Sequence, residues 1–128
     1  MILLDSSVLI DLFRKKDKRK SFFFKLLDQE EHFAISSITH YEIGIGNKES
    51  DSAYWKELYD NLTVIPFDEN CSETAIDIYR NLKKKNKLID IADLLIAATA
   101  VAHGLTLATL NKKHFVRIEN LGLLYKNL

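Results

Sequence analysis

The sequence is short of the residues that cross-link, break or span. A single cysteine, Cys71, excludes an intramolecular disulfide and, with no second thiol, the usual cysteine-rich structural zinc site. It is expected simply to pack. No apolar run approaches the roughly 20 residues that a membrane helix needs. No basic segment precedes Met-Ile-Leu-Leu-Asp at the N-terminus, so the chain is expected to be cytoplasmic and intact from Met1. Net charge is absent too: 18 basic residues balance 18 acidic ones, which argues against a generic basic nucleic-acid binder. Gly44-Ile45-Gly46 lies in a helical pattern with no following Gly or Lys-Ser, so no phosphate-cradling loop is present. The four histidines, His32, His40, His103 and His114, lack HxxxH spacing and give no support for zinc, and no serine or cysteine nucleophile with a paired histidine emerges.

What remains is an ordinary globular composition. With 128 residues, 47% hydrophobic and 28% charged, one domain spanning 1–128 is expected to bury roughly two-thirds of its unfolded surface. Ile2–Leu4 is a short continuous apolar run ending at Asp5-Ser6-Ser7, which suits a buried parallel strand. Ser6 or Ser7 is then placed to cap a helix carrying Val8, Leu9, Leu12 and Phe13. Lys15–Lys20 reads as a solvated connection into a second helix with Phe22, Phe23, Leu26 and Leu27. Phe33–Ile35 predicts a second strand, followed by a Ser36-Ser37 cap and a helix with Ile38, Tyr41 and Ile45 as its inward stripe.

Further on, Tyr54, Trp55, Leu58 and Tyr59 continue the helical spacing, and Leu62–Phe67 predicts a third strand with the only proline, Pro66, at its end. Ala75, Ile76, Tyr79 and Leu82 mark a long helix that runs into Lys83-Lys84-Lys85. A strongly apolar helix over Ile91–Ala102 closes at His103-Gly104, and strands are expected at Leu105–Ala108 and Leu121–Tyr125. Strands separated by helices predict an α/β fold: a three-layer α/β/α domain around a central parallel sheet of four or five strands. In such sheets ligands bind beyond the strand C-termini, at a topological switch point. Asp5, the Ser36–Glu42 segment and Thr109–Asn111 all follow strand ends.

Three acids stand out against this pattern. Asp5 has two readings, an N-cap or a functional acid delivered by a strand end. Glu42 borders the buried stripe of its helix, although an exposed helical glutamate is the default. Asp93 interrupts an otherwise apolar helix, where an isolated carboxylate is costly unless paired, hydrogen-bonded or on a metal. Asp90, three residues earlier, has the spacing of an N-cap. Should Asp5, Glu42 and Asp93 meet at one sheet edge, their mutual repulsion calls for a hard divalent cation, and oxygen donors suit magnesium or manganese. Basic residues at Arg14–Lys20, at Lys83–Lys87, and at Lys112, Lys113 and Arg117 form solvated faces or flank a polyanion around such a site.

Three motifs, in order, resemble those of the PIN-domain ribonucleases, and among them the VapC toxins of toxin–antitoxin pairs. Met1–Asp11 is similar to the first strand with its leading acid at Asp5. Ile35–Ile43 is similar to the second motif, with its acid at Glu42. Ile91–Ala100 gives the most specific match, with the third acid at Asp93. The resemblance covers the whole chain and implies a magnesium- or manganese-dependent endoribonuclease in which a metal-activated water hydrolyses RNA, tRNA among the candidate substrates. Asp5 and Asp93 would be the principal metal ligands and Glu42 a ligand, direct or through water, or the base. Ser7 would hold Asp5 or the substrate. The resemblance further implies a homodimer, cytoplasmic and independent of membranes, neutralised by a VapB-like antitoxin whose C-terminal segment fills the acidic groove.

The fourth motif departs from the family. Many members carry an acid after the fourth strand, whereas here Thr109, Asn111 and His114 occupy that stretch and no carboxylate lies between Asp93 and Glu119. A second metal is therefore not expected, and Asn111 is assigned to orient a ligand or water. The same departure keeps open a non-catalytic RNA-binding or protein-interaction module that retains the PIN fold. A nuclease of the same fold acting on DNA or structured flaps is the third possibility, against which the short chain argues.

Overall fold

An unbroken apolar strand buried on both faces organises the molecule. In the computed structural model, which describes residues 1–125, Ile2–Leu4 forms β1 at the centre of a five-stranded sheet. The other elements are α1 (Ser6–Arg14), α2 (Phe22–Leu26), β2 (Phe33–Ser36), α3 (Ser37–Gly46), α4 (Ser52–Asp60), β3 (Thr63–Ile65) and α5 (Glu69–Lys84). They are followed by α6 (Ile91–Ala102), β4 (Thr106–Thr109), α7 (Lys112–Phe115) and β5 (Leu123–Tyr125). Short 3-10 turns cover Lys18–Lys20 and Glu49–Asp51.

The strand order is β3-β2-β1-β4-β5 and every pairing is parallel. The chain first builds outward from β1 through β2 to β3, then crosses over to add β4 and β5 on the other side. The reversal falls between β1 and β4, where Leu4 pairs with Ala108. Connections diverge there, leaving a crevice beyond the strand C-termini.

Alternation along the central strands divides the core in two. Leu3, Ala34 and Leu107 face one layer, packing with Leu82 of α5, with Ile96, Ala97 and Ala100 of α6, and with Phe115. Ile2, Leu4, Phe33, Ile35 and Ala108 face the other, with Val8 and Leu9 of α1, Phe22, Ile43 and Trp55. Burying each large aliphatic side chain contributes about 1.5–3 kcal/mol. Alanines 97, 98 and 100 are fully buried and let α6 lie close to its neighbours, while the Thr99 hydroxyl donates back to the Leu95 carbonyl at 2.9 Å.

Two local expectations need correction. Ser6 and Ser7 lie inside α1, and Asp5 is its cap. On α3 the buried residues are Thr39 and Ile43, whereas Tyr41 and Ile45 are 63% and 69% exposed. Apolar residues occur on several sides of α3, so its spacing alone did not fix which side faces the sheet.

Candidate active site

Asp5 stands at the switch point. Its backbone N–H donates to the Ala108 carbonyl at 3.1 Å, prolonging the β1–β4 ladder by one residue before the chain turns into α1. The carboxylate then caps that helix: Oδ1 accepts from the Ser7 and Val8 amides at 2.9 and 3.3 Å and from the Ser7 hydroxyl. Oδ2 accepts from the Thr109 hydroxyl at 2.5 Å. The residue is only 3% exposed. Burial pushes the Asp5 carboxyl above its usual range, and the hydroxyl and amide donors only partly offset this.

The hydroxyls that hold Asp5 are themselves fixed by the start of the fourth motif. Ser7 Oγ accepts from the Leu110 amide at 3.0 Å, and Thr109 Oγ1 accepts from the Asn111 amide at 2.9 Å. Each hydroxyl thus has one donor and one acceptor role filled, which sets its orientation toward Asp5.

Glu42 comes from the middle of α3, beside the buried Ile43, and its Oε1 accepts from the Ser6 hydroxyl at 2.8 Å. Asp93 lies in the first turn of α6, where the positive helix end favours negative charge. Asp90 caps this helix, its Oδ2 accepting from the Ala92 amide at 3.2 Å. Asp93 instead meets His114 of α7, whose Nδ1 lies 3.0 Å from Oδ2. Burial raises the Asp93 carboxyl, the His114 contact opposes that rise, and neighbouring Asp90 adds to it.

Asp5, Ser6, Ser7, Glu42, Asp93 and Asn111 line a single cleft of about 580 Å³, with Asp11, Arg14 and Lys15 on its rim. Asp11 is engaged structurally, accepting from the Phe22 amide at 3.0 Å and pairing with Lys15 at 3.5 Å. Lys113, His114 and Arg117 line a separate hollow, linked to the cleft through the His114–Asp93 contact. Arg14 and Lys15 thus put positive charge in the acidic cleft itself, where a polyanion would need it.

The donor set is entirely oxygen, as a hard divalent cation prefers. The three carboxylates do not close to a common ligand distance. Among the described residues, the His, Cys, Asp or Glu group whose ligand atoms all lie within 4.8 Å is Asp68, Cys71 and His103, elsewhere in the fold. Magnesium nonetheless fits the cleft, because it keeps several waters and takes only one or two carboxylates directly. The buried Asp5, whose charged form is disfavoured, is also the kind of acid that a bound cation would stabilise.

Sequence reasoning singled out Asp5, Ser7, Glu42, Asp93 and Asn111, and all five line the cleft. It gave Ser6 at most a capping role and assigned no part in the site to Thr109 or His114. Their contacts join segments up to 104 residues apart, which no local pattern reveals.

Residues 2–121 match the PIN domain family. The chain belongs to that family. This PIN domain is 40% identical over 126 residues to ribonuclease VapC1 of Methanocaldococcus jannaschii, a match covering 95% of this chain and 84% of that one. It is 34% identical to ribonuclease VapC1 of Rickettsia felis, covering 96% and 94% of the two chains. Among solved structures, VapBC2 from Rickettsia felis bound to a DNA fragment from their promoter superposes with a TM-score of 0.86 at 29% identity, over 99% of this chain and all of that one. The PIN domain described here thus groups with the VapC proteins.

Proposed function

We propose that this PIN domain is a magnesium- or manganese-dependent endoribonuclease, the toxin of a toxin–antitoxin pair. The observation that carries it is the convergence of Asp5, Glu42 and Asp93 on one cleft at the switch point, with Arg14 and Lys15 on its rim. The names of the relatives, ribonuclease VapC, support the activity, and the VapBC complex supports a VapB-like partner.

Asp5 and Asp93 would hold the cation, with Glu42 as a third ligand, direct or through water. When bound, the metal supplies charge neutralisation at the phosphate and a more acidic water. The chain's own residues do the rest. Ser7 and Thr109 keep the Asp5 carboxylate oriented, and His114 does the same for Asp93. As the alternative to a third ligand, Glu42, half-buried and held by a single hydroxyl, is a base that would take a proton from the attacking water. Arg14 and Lys15 bind the RNA backbone beside the scissile phosphate, and Asn111 orients water or substrate by hydrogen bonds.

For the partner, an apolar groove lined by Ile10, Phe13, Ile43 and Trp55 shares Ile10, Arg14 and Glu42 with the acidic cleft. An antitoxin segment lying along it would run directly into the acids. For self-association, Ile76 and Tyr79 of α5 remain exposed beside Leu94 and Leu95 of α6, an apolar surface suited to a homodimer.

The test is cleavage of total RNA, tRNA and single-stranded DNA by the purified chain. Fragments should form from RNA with magnesium or manganese and vanish in EDTA. RNA binding without turnover would instead favour the non-catalytic module, the reading motivated by the lack of any carboxylate between Asp93 and Glu119.

A further inference from the structure

At the far end of α6 from the acidic cleft, three residues of different donor chemistry converge. Asp68 is the N-cap of α5, and its Oδ1 accepts from the Cys71 amide at 3.0 Å. Cys71 lies in the first turn of that helix with its side chain fully buried. His103 is the C-cap of α6, its backbone N–H held by the Thr99 carbonyl at 3.2 Å. One carboxylate oxygen, the thiol sulfur and one imidazole nitrogen all lie within 4.8 Å of one another. We propose that Asp68, Cys71 and His103 form a binding site for a borderline divalent metal ion of the zinc type, tying the start of α5 to the end of α6.

The ligand set selects this class of ion. Thiolate and imidazole suit zinc and its borderline neighbours and are poor ligands for magnesium, so the site is chemically distinct from the all-oxygen cleft. It is spatially distinct as well. Asp93 and His103 sit at opposite ends of α6, about 15 Å apart along the axis at 1.5 Å per residue. A tetrahedral ion with bonds of about 2.0–2.3 Å brings its ligand atoms to roughly 3.5 Å from one another. Asp68 and His103 are exposed, so their side chains are the ones that would turn to close that gap, while Cys71 stays fixed in the core. Three protein ligands leave a fourth position for water.

The protonation states are compatible. Hydrogen bonding from the Cys71 amide holds the Asp68 carboxyl below its usual range, so it is available as a carboxylate. Burial pushes the Cys71 thiol up, so the free protein keeps a neutral thiol and the ion supplies the countercharge for a buried thiolate. Because α5 and α6 pack along their lengths in one core, a clasp at this junction would brace the helix that carries Asp93. Its effect would be on stability, with catalysis affected only through the fold.

Cobalt(II) added to the full-length, chelator-treated protein tests the proposal. A thiolate-to-cobalt charge-transfer band in the near ultraviolet should grow in and saturate with one cobalt per chain at this site, whatever the acidic cleft takes up. Cys71 is the only cysteine, so the acidic cleft cannot produce that band. Zinc should bleach the band and raise Tm. His103→Ala and Asp68→Asn should each weaken cobalt binding by at least about tenfold while keeping the Tm of the wild type in chelator. His103 is exposed, and asparagine preserves the cap acceptor at position 68. Absence of the band at saturating cobalt, or wild-type affinity in His103→Ala, would overturn the proposal.

Discussion

At Asp5 and Asp93, burial works against the charge that metal binding needs. Both carboxyls titrate above their usual range in the folded chain, so in chelator the protonated forms favour folding. That contribution is complete below the unfolded carboxylate value, about 3.9 for aspartate, and is lost as pH rises through the raised folded value. Asp93→Asn removes the effect while keeping a polar partner for His114. Its Tm in EDTA should equal or exceed that of the wild type at neutral pH, and the difference should shrink as the pH is lowered; a pH-independent difference would contradict the assignment. The same variant should lose RNA cleavage by about 10³-fold, the several kcal/mol that a metal ligand supplies. Thr109→Val strips Asp5 of one donor and leaves the Asn111 amide without its acceptor. It should destabilise the fold by about 1–3 kcal/mol and lower kcat more than it alters KM, as steady-state cleavage kinetics would reveal. The acids were legible in the sequence because a charge inside an apolar segment is an energetic anomaly. Thr109, Ser6 and His114 were not, since a neutral hydroxyl or a histidine beside a helix raises no such anomaly until the fold supplies its partner.

The secondary-structure elements were legible in proportion to the sharpness of their signals. Buried parallel strands read as unbroken apolar runs, so β1 and β2 fell close to where Ile2–Leu4 and Phe33–Ile35 predicted. The helix carrying Asp93 was bounded by Asp90 at one end and His103-Gly104 at the other, and Gly104 adopts the left-handed φ of +64° that a helix terminus favours. By contrast α3, apolar on several sides, gave no unique phase, and its inward face was misassigned to Tyr41 and Ile45. On α5 the buried positions Cys71, Ala75, Ile78 and Leu82 follow alternating steps of four and three, leaving Ile76 and Tyr79 outside. Leu82, 1% exposed and packed in the layer shared with α6, should cost about 2–5 kcal/mol when replaced by alanine, measured by denaturant unfolding. Asp90→Ala removes only a cap. It should cost about 1 kcal/mol and leave RNA cleavage near the wild-type rate, separating the helix-capping acid from the one assigned to chemistry.

Across the whole molecule, the reversal of strand order at β1 and β4 explains why residues distant in sequence share one cleft. Asp5 and Thr109 are neighbours because their strands pair, and α3 and α6 bring Glu42 and Asp93 in from opposite layers. The parallel order was foreseeable from the alternation of strands and helices. The exposed apolar pair Ile76 and Tyr79 on α5 became visible only once the sheet had fixed each helix's inner face. If that surface joins two copies, Tyr79→Glu should shift the chain from dimer to monomer in analytical ultracentrifugation while leaving Tm near the wild-type value. The central claim is that Asp5, Glu42 and Asp93 act together on one hard cation, and manganese titration monitored by electron paramagnetic resonance tests it most directly. Wild-type protein should quench the free-ion signal with one tight site, and Asp5→Asn, Glu42→Gln and Asp93→Asn should each weaken that site by about tenfold or more. Unchanged manganese affinity in Asp5→Asn and Asp93→Asn would contradict the account.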